Sequence, residues 1–372
     1  MTAGYTSGGA ALTDAAGRER HHFIATSDAV RLACRDYGDP TARRTVVFLH
    51  GLCLSQLSWT RHVAYVLRRH DGAVRVISYD HRGHGQSQSA PVSTYRIEQL
   101  ADDLAHVVAD LEVDGSVTLV GHSLGAMVAL AYLRQASRAR PIDPDGLVLV
   151  ATAAGRLAER GLGRLLATPG IVGLSQLLEH APQQALRALS APVCAALGRC
   201  WGYGPTQHAT LAAVMSAALM TTPTSSAVGF LPTLRDFDAT PSLRSIRART
   251  VVLSGSADLL TPPAHARELA QQIPGAVHVC VPGAGHMLAQ QAPHVVASAI
   301  DHATAWPREL LMSPIAKHSH VNAPSAPPLS AANSTVTSVS LRMIRARRAR
   351  LTNNNISIRR PSTLVPRKPT LA

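Results

Sequence analysis

The pentapeptide Gly-His-Ser-Leu-Gly at 121–125 constrains the fold of this chain more than any other stretch. An apolar, β-branched run precedes it at 117–120, and a helical pattern follows it at 126–135. A G-x-S-x-G sequence between a strand and a helix is typical of a nucleophile elbow, a tight turn that exposes a serine. Because such a turn leaves no room for side chains two residues before and after the serine, glycine is required there. The motif predicts that Ser123 is a nucleophile.

Short apolar runs alternate with amphipathic helical patterns over the first 155 residues and again after residue 240. This alternation predicts an α/β fold whose mostly parallel sheet is covered by helices on both faces. Two runs within 23–37 predict an antiparallel hairpin that turns at 27–28. Further strands are predicted at 45–49, 74–79, 117–120, 146–150, 250–253 and 277–281, and helices at 59–69, 97–111, 126–135, 265–273 and 293–305.

The composition divides the chain into five segments. Residues 1–20 are small, polar and rich in glycine, so we predict that they are disordered. Residues 21–155 and 241–312 carry the strand and helix alternation and form the two parts of the core. Residues 156–240 contain no convincing strand, and their apolar helical patches predict a cap over the carboxyl ends of the strands. Residues 313–372 predict a basic, disordered tail.

The net charge of +13 comes mostly from this tail, which has ten Lys and Arg and no acidic residue. The remaining 26 basic residues face 23 acidic ones, so the core is nearly neutral and is not expected to bind nucleic acid. A weakly amphipathic basic stretch at 341–351 leaves two interpretations of the tail open. We favour a solvated segment; the alternative is contact with anionic lipid or nucleic acid.

Cysteine usage and hydropathy favour a reducing compartment. The five cysteines are dispersed, odd in number and without a CxxC pair, which argues against a disulfide framework or a structural zinc site. Residues 1–20 lack the basic start and apolar stretch of a secretory signal. No apolar run approaches the roughly 20 residues that span a bilayer. We therefore expect a cytoplasmic protein, without metal or cofactor.

Two residues stand where a serine nucleophile needs its partners. A serine hydroxyl requires a base to take its proton, so the sequence should supply a histidine on another loop, oriented by a carboxylate. His286 ends a Gly-Ala-Gly-His sequence directly after the last predicted strand, and Asp258 follows the strand at 250–253. No acidic residue follows the strand at 146–150. The order Ser123, Asp258, His286 is the hydrolase order.

The developing oxyanion of such a reaction needs backbone donors. We expect the N–H groups of Leu124, directly after the serine, and of Leu52, in the loop after the strand at 45–49. His50, Gly51, His122 and Met287 are predicted to line the substrate pocket.

A second signature at 80–87, Asp-His-Arg-Gly-His-Gly-Gln-Ser, follows the strand at 74–79. We interpret this signature as a network that stabilises the loop near the site.

Together, His50-Gly51, the signature at 80–87, the elbow at 121–125, Asp258 and Gly285-His286 resemble the α/β-hydrolase fold superfamily, in its cap-bearing, serine esterase-like branch. The resemblance covers about residues 22–308, and it implies an eight-stranded sheet and the Ser–His–Asp triad. Similar epoxide hydrolases and haloalkane dehalogenases carry Asp at the nucleophile position, so Ser123 separates this chain from them.

The predicted function is serine-dependent hydrolysis of a carboxylic ester or thioester, through an acyl-enzyme on Ser123. The partner is then a small to medium apolar substrate, because the predicted cap is rich in Leu and Ala. The same triad serves carbon–carbon bond hydrolases, cofactor-free perhydrolases or haloperoxidases, and acyltransferases, and these alternatives stay open. A non-catalytic, ligand-binding protein of the same fold is the alternative from another class.

Overall fold

A computed structural model describes residues 19–167 and 222–304 of the chain. Most of the predicted disordered N-terminus, the middle of the predicted cap and the whole of the predicted tail lie outside these ranges. The described strands form one eight-stranded sheet. They are β1 (Glu19–Ala25), β2 (Arg31–Tyr37), β3 (Arg44–Leu49), β4 (Arg75–Tyr79), β5 (Ser116–His122), β6 (Gly146–Val150), β7 (Arg249–Gly255) and β8 (Val277–Val281).

The strand order across the sheet is β1-β2-β4-β3-β5-β6-β7-β8. β1 and β2 form the predicted antiparallel hairpin, and β2 also runs antiparallel to β4. Every pairing from β4 across to β8 is parallel. The prediction of a mostly parallel, eight-stranded sheet is therefore confirmed. Because parallel strands end at the same edge, the loops after β3, β5, β7 and β8 can meet there.

Helices cover both faces of the sheet. They are α1 (Thr60–Arg69), α2 (Ile97–Asp110), α3 (Leu124–Arg134), α4 (Thr224–Gly229), α5 (Leu231–Asp236), α6 (Pro263–Gln272), α7 (Leu288–Gln291) and α8 (Pro293–Ala303). Apolar residues of α2, α3 and α6 pack in one core cluster, and those of α1, α7 and α8 in another. Successive residues of β5, Leu119 and Val120, enter different clusters, as the two-residue period of a strand requires.

β1 begins at Glu19, four residues before the predicted start of the hairpin at 23 and two before the predicted core boundary at 21. The cause is a long-range contact that a local pattern does not reveal. Arg20 donates to the Gly38 carbonyl at 2.9 Å and forms an ion pair with the buried carboxylate of Asp36 at 3.0 Å. These bonds hold the start of β1 against the end of β2, so Glu19 and Arg20 belong to the sheet.

The described parts of the predicted cap are residues 156–167 and 222–240, and they contain helices and 3-10 turns without a strand. An antiparallel bridge between Gly155 and Asp238 joins the two places where this segment leaves and rejoins the core. Arg156 and Arg160, just after the bridge, both form ion pairs with Glu268 on α6, the second at 2.8 Å. The base of the insertion is therefore tied to a core helix.

Two further observations concern the described residues alone. No helix in these ranges combines the length and the apolar character that crossing a bilayer requires. None of the three described cysteines, Cys34, Cys53 and Cys280, takes part in a disulfide.

Candidate active site

Ser123 lies at the sharp turn between β5 and α3, with φ 52° and ψ −114°. This backbone conformation is rare for a residue with a side chain, and such strain is typical of functional sites. The flanking residues must be glycine because neighbouring backbone leaves no room for a Cβ atom. A Cβ on Gly121 would lie 2.5 Å from the Ala126 backbone, and one on Gly125 would collide with the Leu49 carbonyl. The side chain of Ser123 is half-buried at the carboxyl edge of the sheet.

The structure brings Ser123, His286 and Asp258 into one hydrogen-bonded row. Nε2 of His286 lies 3.0 Å from Oγ of Ser123, and its Nδ1 lies 2.9 Å from Oδ2 of Asp258. The three side chains come from three separate places in the sequence, after β5, β7 and β8. With the proton on Nδ1 donated to the carboxylate, Nε2 is free to accept the serine proton. The arrangement can activate the hydroxyl as a nucleophile.

The carboxylate of Asp258 is buried but well supplied with hydrogen bonds. Its Oδ1 accepts the backbone N–H groups of Leu260 and Thr261, each at 2.9 Å. Burial acts to raise the pKa of Asp258, but the facing His286 and the donors from Thr261 outweigh it and hold the pKa below its ordinary value. The group is therefore an anion at neutral pH.

Thr261 is a site residue that the sequence reasoning missed. Its hydroxyl donates to Oδ2 of Asp258 at 2.7 Å and lies 3.2 Å from Nδ1 of His286. The only signal was local: a threonine three residues after an aspartate can close a turn around the carboxylate.

The loop after β3 packs directly on the elbow. A Cβ on Gly51 would lie 2.7 Å from Nδ1 of His122, and one on Gly125 would lie 2.6 Å from the His50 carbonyl. Leu52 is the next residue of this loop, and Leu124 is the first residue of α3. Within the described ranges, neither the Leu52 N–H nor the Leu124 N–H donates to a protein acceptor. Among the described residues, these two N–H groups therefore have no acceptor.

His50, which the sequence predicts to line the substrate pocket, is held by hydrogen bonds at both ring nitrogens. Its side chain is fully buried. Nδ1 donates to the Gly51 carbonyl at 2.8 Å, and Nε2 accepts the N–H of His81 at 2.9 Å. Burial lowers the pKa of His50 to about 4, so the imidazole is neutral. The ring of His50 thus joins its own loop to the loop after β4, a contact that the local sequence does not reveal.

The other residues predicted to line the pocket, Gly51, His122 and Met287, are buried beside the row of Ser123 and His286. Nε2 of His122 donates to the backbone carbonyl of His286 at 2.9 Å. Burial, with a smaller contribution from His286, lowers the pKa of His122 to about 3. His122 therefore holds the loop that carries His286, and as a neutral ring it adds no charge to the site.

The signature at 80–87 forms the loop network that the sequence indicates. Asp80 accepts the N–H of Gln56 at 2.7 Å and that of Gln86 at 2.9 Å. The buried guanidinium of Arg82 bridges Asp28, in the β1–β2 turn, and Asp103, on α2. In the described part of the chain, no group of three or more His, Cys, Asp and Glu residues is arranged to hold a metal ion.

The sheet order and the serine turn together define a hydrolase fold built around a nucleophile elbow. Comparison with known sequences agrees, because the sequence model of the Alpha/beta hydrolase family matches residues 46–299. The chain belongs to this family.

Individual curated relatives match only part of this chain, at modest sequence identity. A non-heme chloroperoxidase of Streptomyces lividans is 32% identical over 117 residues, which are 32% of this chain and 40% of that protein. The chain spans less than half the length of curated relatives such as this one.

Solved structures match over a larger share of the chain. A hydrolase from Pseudomonas aeruginosa PA01 has a TM-score of 0.62 and 25% identity, over 76% of this chain and 97% of that one. A thermophilic esterase from Thermogutta terrifontis has a TM-score of 0.60 and 24% identity, over 79% and 98% of the two chains. The fold is therefore shared across nearly the whole length of these enzymes.

Proposed function

We propose that the protein hydrolyses a carboxylic ester or thioester through an acyl-enzyme on Ser123. The observation that carries the proposal is the row of hydrogen bonds from Ser123 through His286 to Asp258, at 3.0 and 2.9 Å. The N–H groups of Leu52 and Leu124, which have no acceptor among the described residues, support it. The esterase among the structural relatives favours an ester as the substrate. The predicted cap, rich in Leu and Ala, favours a small to medium apolar one.

In the acylation half of the reaction, Oγ of Ser123 attacks the carbonyl carbon while its proton moves to Nε2 of His286. The carbonyl π electrons move to the oxygen, which becomes an oxyanion that the Leu52 and Leu124 N–H groups stabilise. Asp258 stabilises the imidazolium that forms. When the oxyanion collapses, the bond to the alcohol or thiol breaks, and the leaving group takes the proton from His286.

In the deacylation half, a water molecule attacks the acyl carbon and gives one proton to Nε2 of His286. A second oxyanion forms in the same place and collapses by breaking the bond to Oγ. Ser123 recovers its proton from His286, and the carboxylic acid leaves. The enzyme returns to its starting state without the help of another group.

Perhydrolysis is a second candidate, favoured by the match to the Streptomyces lividans chloroperoxidase. Hydrogen peroxide would replace water in the attack on the acyl-enzyme, and the products would be a peracid and free Ser123. Acetic acid would acylate Ser123 with loss of water, and peroxide would release peracetic acid from the acyl-enzyme. The peracetic acid would oxidise bromide to hypobromous acid, which brominates a dye, and would itself return to acetic acid. If bromination depends on Ser123 and its kcat/KM exceeds that of ester hydrolysis, perhydrolysis is the main activity.

The test is hydrolysis of p-nitrophenyl acetate, butyrate and octanoate, and of matched thioesters, by the wild type and Ser123→Ala. A matched control is Ser254→Ala, because Oγ of Ser254 also lies 2.9 Å from a histidine, Nε2 of His278. That pair lies outside the elbow. We expect hydrolysis to be lost only in Ser123→Ala. Equal turnover by Ser123→Ala and the wild type would overturn the proposal, and no turnover by a folded wild type would favour a binding protein.

A further inference from the structure

His84, from the signature at 80–87, holds the loop that carries Leu52. Its ring is buried, and its Nε2 lies 3.1 Å from the backbone N–H of Cys53. Its Nδ1 lies 3.0 Å from the carbonyl of Arg82, in its own loop. The His84 side chain thus connects the loop after β4 to the loop after β3.

The partners determine the protonation of His84. The Cys53 N–H can only donate, so Nε2 must carry the lone pair, and the Arg82 carbonyl can only accept, so Nδ1 must carry the proton. The ring is therefore neutral, with one defined tautomer. Burial, together with His50 nearby, lowers the pKa of His84 to about 3, which agrees with this geometry.

Cys53 has φ 58°, a left-handed conformation that is unfavourable for residues other than glycine. Residues in this conformation persist where the surroundings hold them. The hydrogen bond to His84 is such a restraint, since it engages the N–H of this same residue. It also removes the Cys53 N–H from the set of donors that could reach an oxyanion.

The peptide unit between Gly51 and Leu52 is also held by hydrogen bonds. The Gly51 carbonyl and the Leu52 N–H belong to one planar, trans peptide unit and point in opposite directions. That carbonyl accepts Nδ1 of His50 at 2.8 Å and the Leu54 N–H at 3.1 Å, which closes the turn through Leu52 and Cys53, and these two bonds also set the direction of the Leu52 N–H. Two neutral imidazoles thus engage the peptide units on both sides of Leu52.

We propose that His84 is a positioning residue for the oxyanion hole. By accepting the Cys53 N–H, it holds the left-handed turn after Leu52 and leaves the Leu52 N–H as the donor of this loop. This inference rests on the proposed function, because it assigns a preformed donor to the same reaction. His84 itself touches neither Ser123 nor His286 through any hydrogen bond in the described ranges.

The test compares two substitutions of His84. His84→Phe keeps a ring beside Phe230, whose centroid is 5.8 Å away, but removes the acceptor. His84→Gln places a carbonyl oxygen near the position of Nε2 and restores the acceptor. His278→Phe, on β8, is the control for a histidine-to-phenylalanine change away from the site.

The readouts are kcat and KM for p-nitrophenyl butyrate, the Ki of an aryl trifluoromethyl ketone, and the thermal midpoint. The ketone adds to Ser123 and forms an oxyanion, so its Ki reports the hole separately from substrate binding. We expect His84→Phe to lower kcat and to raise the Ki of the ketone by a similar factor, about 10- to 100-fold. Its KM should stay within about twofold of the wild-type value. His84→Gln should recover most of both losses, and His278→Phe should change neither.

Unchanged kcat and ketone affinity in His84→Phe would overturn the inference, as would equal losses in His84→Phe and His84→Gln. If His84→Phe does not fold, the inference is tested on the wild type, because 15N NMR of its histidines shows which ring nitrogen of His84 carries the proton. A proton on Nε2 of His84 would contradict the inference. A wild type that hydrolyses no ester and binds no ketone would instead refute the proposed function, while the tautomer would still test the hydrogen bond.

Discussion

Thr261 donates its hydroxyl hydrogen bond to the same oxygen of Asp258 that faces His286. The Thr261 Oγ1–Asp258 Oδ2 distance is 2.7 Å, and Asp258 Oδ2 lies 2.9 Å from Nδ1 of His286. Both donors approach one carboxylate oxygen, while backbone N–H groups of the same turn occupy the other. The carboxylate is therefore fixed in position by its own turn before it orients the imidazole.

Removing this hydroxyl should slow the reaction. Thr261→Val keeps the shape of the side chain but removes a hydrogen bond to a charged, buried acceptor, a bond worth about 1.5–3 kcal/mol. We expect kcat for p-nitrophenyl butyrate to fall about tenfold or more, with little change in KM. Thr261→Ser keeps the hydroxyl and should stay near the wild type. Equal kcat values for Thr261→Val and the wild type would show that Asp258 is held well enough without Thr261.

The elbow glycines should tolerate no side chain. In Gly125→Ala the new Cβ would collide with the Leu49 carbonyl, so the turn or the loop after β3 must shift. We expect activity to fall at least about 100-fold, because a displacement of 1 Å is enough to cost that much. Gly275→Ala is the control, because its new Cβ would meet no atom within 4 Å. At its φ of +69° the substitution adds backbone strain but no collision. Near wild-type activity in a folded Gly125→Ala protein would contradict the steric account.

Arg82 should contribute strongly to stability. Its guanidinium is fully buried and forms ion pairs with Asp28 at 2.7 Å and with Asp103 on the other side. Arg82→Met leaves the buried carboxylate of Asp103 without its partner, which costs about 3–5 kcal/mol in comparable cases. Urea unfolding measures the loss. Arg235→Met, which breaks an exposed pair with Asp236, should leave the urea midpoint nearly unchanged. Similar midpoints for both variants would contradict this role of Arg82.

The free energy of unfolding should decrease as the pH drops below about 6.5, because several histidines are buried as neutral rings. Burial lowers the pKa of His50 and His62 to about 4, and that of His84 and His122 to about 3. In the unfolded chain these rings take up protons near pH 6.5, whereas the folded protein keeps them neutral. Their stabilising contribution is thus complete above about pH 6.5 and is lost as the pH falls toward 4.

Urea unfolding at pH 8, 7, 6 and 5 tests this expectation. Each such histidine adds a slope of up to about 1.4 kcal/mol per pH unit below its unfolded pKa. His62→Leu removes one of them at a position on α1 that belongs to no part of the site, and it should flatten the slope accordingly. A free energy of unfolding that stays constant between pH 7 and pH 5 would contradict the burial of neutral histidines.

The sequence predicts the sheet and the row of Ser123, Asp258 and His286 because their signals are local. β8 has the predicted bounds, 277–281, since a short apolar run between a helix and a glycine-rich loop has few other interpretations. Contacts between distant segments are harder to predict. The start of β1 depends on Arg20 meeting Asp36, and the inward rotation of His50 depends on His81, 31 residues away.

The central claim is that Ser123 is an activated nucleophile, and labelling by a fluorophosphonate tests it most directly. The wild type, Ser123→Ala and His286→Ala are each incubated with the probe and measured by intact-protein and peptide mass spectrometry. We predict one adduct in the wild type, on the peptide that contains Ser123, no adduct in Ser123→Ala, and strongly slowed labelling in His286→Ala. An adduct on another residue, or ester hydrolysis by a wild type that takes up no probe, would contradict the account.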